Sequence, residues 1–242
     1  MQDQWIRTRM LLGGAAMKRL RESTVAVFGL GGVGGAVVEA LARSGVGRLV
    51  LVDHDRVSLS NLNRQILALH SNIGQRKVDV ARARIQEIDP GIRVEGYDCF
   101  YLPGQGSAML EGCDYVVDAV DTVAAKLALI EEAGRRGIPI LCSMGTGNKL
   151  DPFQFEIAPI EETSVCPLCR VMRRELKKRG IEGTRVLYSR EIPLEPEAEG
   201  LPSGELKGGR VPPGSTAFVP PVAGYLIASA VVRDLIGAEE VE

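Results

Sequence analysis

Thr24–Val25–Ala26–Val27–Phe28–Gly29–Leu30–Gly31–Gly32–Val33–Gly34 is the stretch on which the fold turns. A short apolar run closed by glycines reads as a buried strand. The stretch from Gly32 to Arg43, rich in alanine and valine, reads as the helix that follows. Strand, glycine turn and helix N-terminus in that order make an anion site. Glycine allows the tight turn and a close backbone approach, and the helix end supplies free N–H groups and a favourable dipole. Gly29, Gly31, Gly32 and Gly34 are therefore candidate ligand-binding positions. The next apolar run, Arg48 to Asp53, ends in an acid about 20 residues on, where a carboxylate accepts ribose hydroxyls.

The alternation continues outward from there. Gln75 to Ile88 is a helix with Val78, Ala81, Ile85 and Ile88 at helical spacing, ended by Asp89–Pro90–Gly91. Arg93 to Tyr97 and Tyr115 to Asp118 read as strands, Thr122 to Arg136 as a helix and Ile138 to Cys142 as a fifth strand. Strands alternating with helices imply an α/β fold, a Rossmann-like mostly parallel sheet flanked by helices. The second half is less regular. It offers a strand in Asp151 to Pro159, a basic helix in Cys166 to Gly180, and an apolar helix from Val222 to Leu235. Pro193 to Pro213, rich in Pro, Glu and Gly, is expected to be a mobile loop. The expected organisation is one domain over residues 1–242, with the nucleotide-binding part in 1–150 and the C-terminal part, 151–242, completing it.

The loop after Asp53 separates this chain from a dehydrogenase. Asp55 is followed by Leu59–Ser60–Asn61–Leu62–Asn63–Arg64–Gln65, one cation among hydroxyl and amide donors, which suits a polyphosphate. Lys77 can reach a phosphate as a point charge. Asp118 and Asp121 bracket the end of the fourth strand, the usual ligand crevice of an open sheet, where a carboxylate can hold Mg²⁺ against phosphate oxygens.

Composition sets the outer bounds. The chain has 242 residues, 45% hydrophobic and 25% charged, with a formal net charge of -2. There is no global basic field for nucleic acid, so any such contact needs a local patch. Five cysteines, an odd number, argue against a disulfide framework. Met1 to Arg9 does not read as a signal peptide, and Val219 to Ile236 reads as too short and too interrupted by Pro220, Pro221, Arg233 and Asp234 to span a bilayer. The expectation is a reduced, cytoplasmic protein.

The glycine turn, Val52 to Asp55, Ser60 to Gln65, Lys77 and Asp118 to Asp121 together resemble the ATP-site signature of the ThiF/MoeB/HesA superfamily, with its ubiquitin-activating-enzyme-like fold. The resemblance implies ATP and Mg²⁺ as cofactors and adenylation of a carboxylate as the activity. It places the nucleoside on the glycine turn and Asp53, the phosphates on Asn61, Arg64 and Lys77, and Mg²⁺ on Asp121. It further implies that an arginine near the N-terminus, Arg7 or alternatively Arg9, reaches the partner subunit's site in a homodimer.

Two branches of the superfamily compete. Activators of ubiquitin-like sulfur carriers often bind zinc through two Cys-x-x-Cys pairs, and this chain has one, Cys166 and Cys169. A four-cysteine zinc site shared across a dimer is the alternative to simple reduced thiols. Asn61 to Leu69, Ser143 to Pro152 and Gly214 to Gly224 resemble the branch that dehydrates threonylcarbamoyladenosine in tRNA. Arg170, Arg173, Arg174, Lys177, Lys178 and Arg179 then form a candidate tRNA-binding face, with Val171, Met172 and Leu176 as its buried stripe and Tyr188 as the nearest stacking residue.

Overall fold

The computed structural model describes residues 4–104, 106–197 and 212–237. The Thr24–Phe28 run is β1, with all five residues buried. It follows helix α1, Ile6–Glu22, which breaks at Gly13, and it leads into α2, Gly32–Ser44. Then come β2 (Arg48–Val52), α3 (Lys77–Ile88), β3 (Arg93–Tyr97), the short α4 (Gly106–Met109), β4 (Tyr115–Asp118), α5 (Val123–Arg136) and β5 (Ile140–Ser143). The remainder supplies β6 (Phe155–Pro159), α6 (Pro167–Lys178), β7 (Arg185–Ser189) and α7 (Val219–Ile236). All seven strands join one sheet in the order β3-β2-β1-β4-β5-β7-β6. Every neighbouring pair is parallel except β6 against β7.

This order locates the site. The chain winds from β1 outward through β2 to β3, then returns to β1's other side with β4. The reversal opens a crevice above the C-terminal ends of β1 and β4, where open α/β sheets bind ligands.

The second half departs from the sequence reading in two places. Arg185–Ser189, which the sequence reading left unassigned, is inserted between β5 and β6. Of Asp151 to Pro159 only Phe155–Pro159 is extended, because Asp151 caps a turn at Pro152–Gln154 by accepting the Phe153 N–H at 2.9 Å. Of the expected mobile loop, residues 198–211 lie outside the described residues.

Helix α7 starts earlier than its apolar pattern suggests, with Pro220 and Pro221 in the first turn, where backbone N–H groups need no partner. At 18 residues it is long and apolar enough to cross a membrane, contrary to the sequence reading. It packs instead on α2: a Cβ on Gly224 would lie 2.4 Å from the Val33 carbonyl oxygen. Gly224 and Ala228 are both buried inside the chain.

Candidate active site

A cleft of about 610 Å³ opens over the ends of β1, β2 and β4. Its rim begins at the glycine turn. Gly29 has φ +88, a conformation side chains disfavour, and a Cβ there would sit 2.5 Å from the Ala119 carbonyl oxygen. Gly29, Gly31 and Gly32 line the cleft. Gly34 does not: it is buried, and a Cβ on it would lie 1.7 Å from the Gly29 carbonyl oxygen. Its expected ligand role is corrected to packing of α2 against the turn.

Asp53 sits at the foot of the turn and is nearly buried. Its Oδ2 accepts the Leu30 N–H at 2.5 Å and its Oδ1 accepts the Asp55 N–H at 2.7 Å. The acid therefore shapes the glycine turn and still borders the cleft. Carboxylate oxygens have further lone pairs, so ribose hydroxyls can share them.

The loop after β2 forms the opposite wall. Ser58, Ser60, Asn61, Arg64 and Gln65 line it. Asn61 is buried and its Oδ1 accepts the Ser58 N–H at 3.1 Å, which closes the loop on itself. Arg64, half-buried, donates to the Ser60 carbonyl and to Asn63 Oδ1, both at 2.8 Å. Both acceptors are neutral, and among the described residues Arg64 forms no ion pair. Lys77 is 4% exposed and extends its amine to Asp55 Oδ2 at 2.8 Å, at the cleft wall. Its ammonium has three donors, so a phosphate oxygen can be added to the pair.

The acids bracketing β4 have separate fates. Asp121 is exposed and lines the cleft, its Oδ1 accepting from Thr122 Oγ1 at 3.2 Å. Asp118 is wholly buried in an ion pair with Lys126 at 2.9 Å, which removes it as a metal ligand. Asp121 alone of the two fits Mg²⁺, which commonly takes one or two carboxylates and completes its shell with water and phosphate oxygens.

A second cleft of about 290 Å³ abuts the first and shares Gly31, Gly32, Arg64, Ala119, Val120 and Asp121 with it. Val33, Ser143 to Gly147, Leu168, Pro213, Ser215 and Pro220 complete it. The strap at Pro213–Ser215 is tied across by two asparagines. Asn63 Nδ2 donates to the Ser215 carbonyl at 3.0 Å, and Asn148 exchanges two bonds with Gly214, at 2.6 and 2.8 Å. Sequence reasoning placed Asn148 and Gly214 only in segments that resemble the dehydratase branch and gave neither a role in the site; the left-handed φ of Asn148 is the kind of feature that only a backbone shows.

Cys166 and Cys169 are both buried at the start of α6. The Cys169 thiol and the backbone N–H groups of Cys169, Gly145 and Leu168 pull the Cys166 thiol down to about 5, while its hydrogen bond to Cys166, with burial, pushes the Cys169 thiol up. Their burial leaves no open face for a zinc shared with a second chain. Tyr188 is also buried, so it is not available for stacking on a base. In the basic helix Met172 and Leu176 are buried as expected, whereas Val171 is exposed. Arg173 is committed to the Thr163 carbonyl and hydroxyl, and Arg179 to Glu131 and Glu175. Arg170, Arg174, Lys177 and Lys178 face solvent, Arg174 and Lys178 beside Glu175. Arg7 is exposed on α1 and does not line either cleft.

A family model described as the ThiF family matches residues 6–242. The chain belongs to the ThiF family. This ThiF-family chain is 42% identical over 249 residues to the tRNA threonylcarbamoyladenosine dehydratase of Bacillus subtilis, covering 100% of this chain and 98% of that one. A crystal structure of E. coli tRNA N6-threonylcarbamoyladenosine dehydratase, TcdA, in complex with ATP matches with a TM-score of 0.86 at 32% identity, over 98% of this chain and 96% of that one. The sulfur carrier protein adenylyltransferase of Thermus thermophilus is similar over less of the ThiF-family chain: 35% identity over 141 residues, 57% of this chain and 52% of that protein.

Proposed function

We propose that this chain binds ATP with Mg²⁺ and adenylates the carboxylate of a threonylcarbamoyl group on a tRNA adenosine. The carboxylate oxygen attacks the α-phosphorus and pyrophosphate leaves. A group within the modification then attacks the acyl carbon and expels AMP, closing a ring with net loss of water. One observation carries the chemistry: a nucleotide-sized cleft abuts a smaller one, with Arg64 and Asp121 on the wall between them. The choice of carboxylate rests on the full-length similarity to the dehydratases. In this reading Gly29, Gly31, Gly32 and Asp53 hold the nucleoside. Asn61, Arg64 and Lys77 hold the phosphates, Asp121 carries Mg²⁺, and the second cleft receives the acceptor. Asp55, Ser60 and Gln65 shape the wall. No side chain need attack; positioning and charge neutralisation suffice.

The substrate assignment is tested by pyrophosphate release from ATP with threonylcarbamoyl-modified tRNA beside a ubiquitin-like carrier. Release and cyclisation with the tRNA alone are expected; release with the carrier alone overturns the assignment in favour of the sulfur-carrier reading. The same assay reads the basic helix. Arg170→Glu with Lys177→Glu is expected to raise KM for tRNA and to lower the salt slope by about one for each phosphate no longer neutralised, with nucleotide binding unchanged. An identical salt slope would assign these cations to solvation.

We further propose a cytoplasmic homodimer in which residues 1–242 form one folding unit. Among the described residues the charges lining the nucleotide cleft balance, with Asp53, Asp55 and Asp121 against Arg56, Arg64 and Lys77. A triphosphate then needs cations from outside, Mg²⁺ and an arginine in trans. Two unit charges about 4 Å apart interact by about 4 kcal/mol near a protein surface, enough to matter. Ile6, Met10 and Leu11 beside Arg7 are exposed at 58%, 83% and 84%, as a helix awaiting a partner would be. Mixing Arg7→Ala with Asp121→Ala, each inactive alone, is expected to restore part of the activity, up to about a quarter for random exchange of one intact site per heterodimer. No recovery after verified subunit exchange would show that Arg7 does not act across subunits; the same mixture with Arg9→Ala separates the two arginines.

A further inference from the structure

Lys126 is a fully buried cation that the proposed chemistry does not use. Its Nζ lies 2.9 Å from Asp118 Oδ2 and 2.6 Å from the Ser143 carbonyl oxygen, with both side chains of the ion pair at 0% exposure. Asp118 ends β4 and Ser143 ends β5, so one ammonium on α5 staples two adjacent strand ends. The other oxygen of the same carboxylate, Asp118 Oδ1, accepts the Val120 N–H at 3.1 Å. The chain leaving β4 carries Ala119, Val120 and Asp121, which line both clefts, and the chain leaving β5 carries Met144 to Gly147, which line the second.

A buried ion pair is a poor choice for stability alone, since apolar residues of similar volume often serve as well or better. What it supplies here is registry between two loops that no strand pairing connects beyond Asp118 and Cys142. We infer that Lys126 is a positioning residue: through Asp118 and the Ser143 carbonyl it sets the separation between Asp121 and the β5 loop, and hence between metal-bound nucleotide and acceptor. This rests on the reading of the paired clefts given above.

The test compares Lys126→Met with the double variant Asp118→Asn/Lys126→Met. The single change strands a buried carboxylate and can unfold the chain. The double change removes both charges and is expected to fold with a melting temperature close to wild type. Its kcat is expected to fall about 10²-fold, the scale of an ångström misplacement, while nucleotide Kd changes less than about threefold. The Mg²⁺ concentration for half-maximal activity should rise. A purely structural ion pair would leave the refolded double variant with wild-type kcat and Mg²⁺ dependence, and that result overturns the inference. Hydrogen exchange gives a readout independent of turnover. Residues 119–121 and 144–147 should exchange faster in the double variant while α2 and β1 keep wild-type protection; equal exchange in both loops also overturns it. A wild-type chain that releases no pyrophosphate with any carboxylate sinks the functional reading, and the exchange data still decide the positioning role.

Discussion

Arg64→Ala lowers kcat by about 10² to 10³-fold in the pyrophosphate-release assay, the scale set by removing one preorganised donor from developing charge. The expectation follows from the surroundings of this guanidinium. It is half-buried on the wall between two clefts, and its two hydrogen bonds go to the Ser60 carbonyl and Asn63 Oδ1. These neutral partners orient the side chain and leave its charge for the ligand. Both bonds also lie within a surface loop, so the melting temperature should move little. Arg64→Lys keeps a positive charge but not the planar fork, and should recover only part of the loss. Wild-type turnover in Arg64→Ala would remove the residue from the mechanism and leave Lys77, held against Asp55, as the cationic group on the phosphates.

Gly34→Ala is expected to destabilise the chain by more than about 4 kcal/mol, among the largest effects of single substitutions. The added Cβ would lie 1.7 Å from the Gly29 carbonyl oxygen, a backbone atom with no rotamer to change. Helix α2 would have to lift off the turn, carrying with it Val37 and Leu41 from the core. At about 2–4 °C per kcal/mol for a chain of this size, thermal unfolding should fall by on the order of 10 °C. Gly31→Ala is the control. Its Cβ would meet nothing nearer than Gln65 Nε2 at 4.0 Å, so the fold should stand while nucleotide affinity falls. Equal melting temperatures for the two variants would refute the separation of packing glycine from ligand-facing glycine.

The contrast between Gly34 and Gly31 also marks how far the sequence could be read. Both belong to one motif, and the sequence reading took both as ligand-binding positions. Their difference comes from how the first turn of α2 packs on the glycine turn, with Gly34 against the Gly29 carbonyl and Gly31 at the cleft. Asp118 and Asp121 divide in the same way. Asp118 ends β4 and Asp121 follows it in the loop before α5, but the partner that takes Asp118 out of solvent is Lys126, on the helix that follows. The basic helix was legible as cationic and amphipathic; that Arg173 is spent on Thr163 and Arg179 on Glu131 was not, because those acceptors lie on other elements.

By itself the sequence determined the alternation of strand and helix, the glycine turn after β1, the acid ending β2, and the cations and acid of the cleft. These are properties of neighbouring residues: apolar runs, helical spacing and the backbone freedom of glycine act within a few positions. Only the tertiary structure decided that β7 slots between β5 and β6, that Gly224 packs against α2, and that Asn63 and Asn148 tie the strap at Pro213–Ser215 across the second cleft. Each of these depends on which faces of distant segments meet once the sheet has closed, and no local periodicity carries that information.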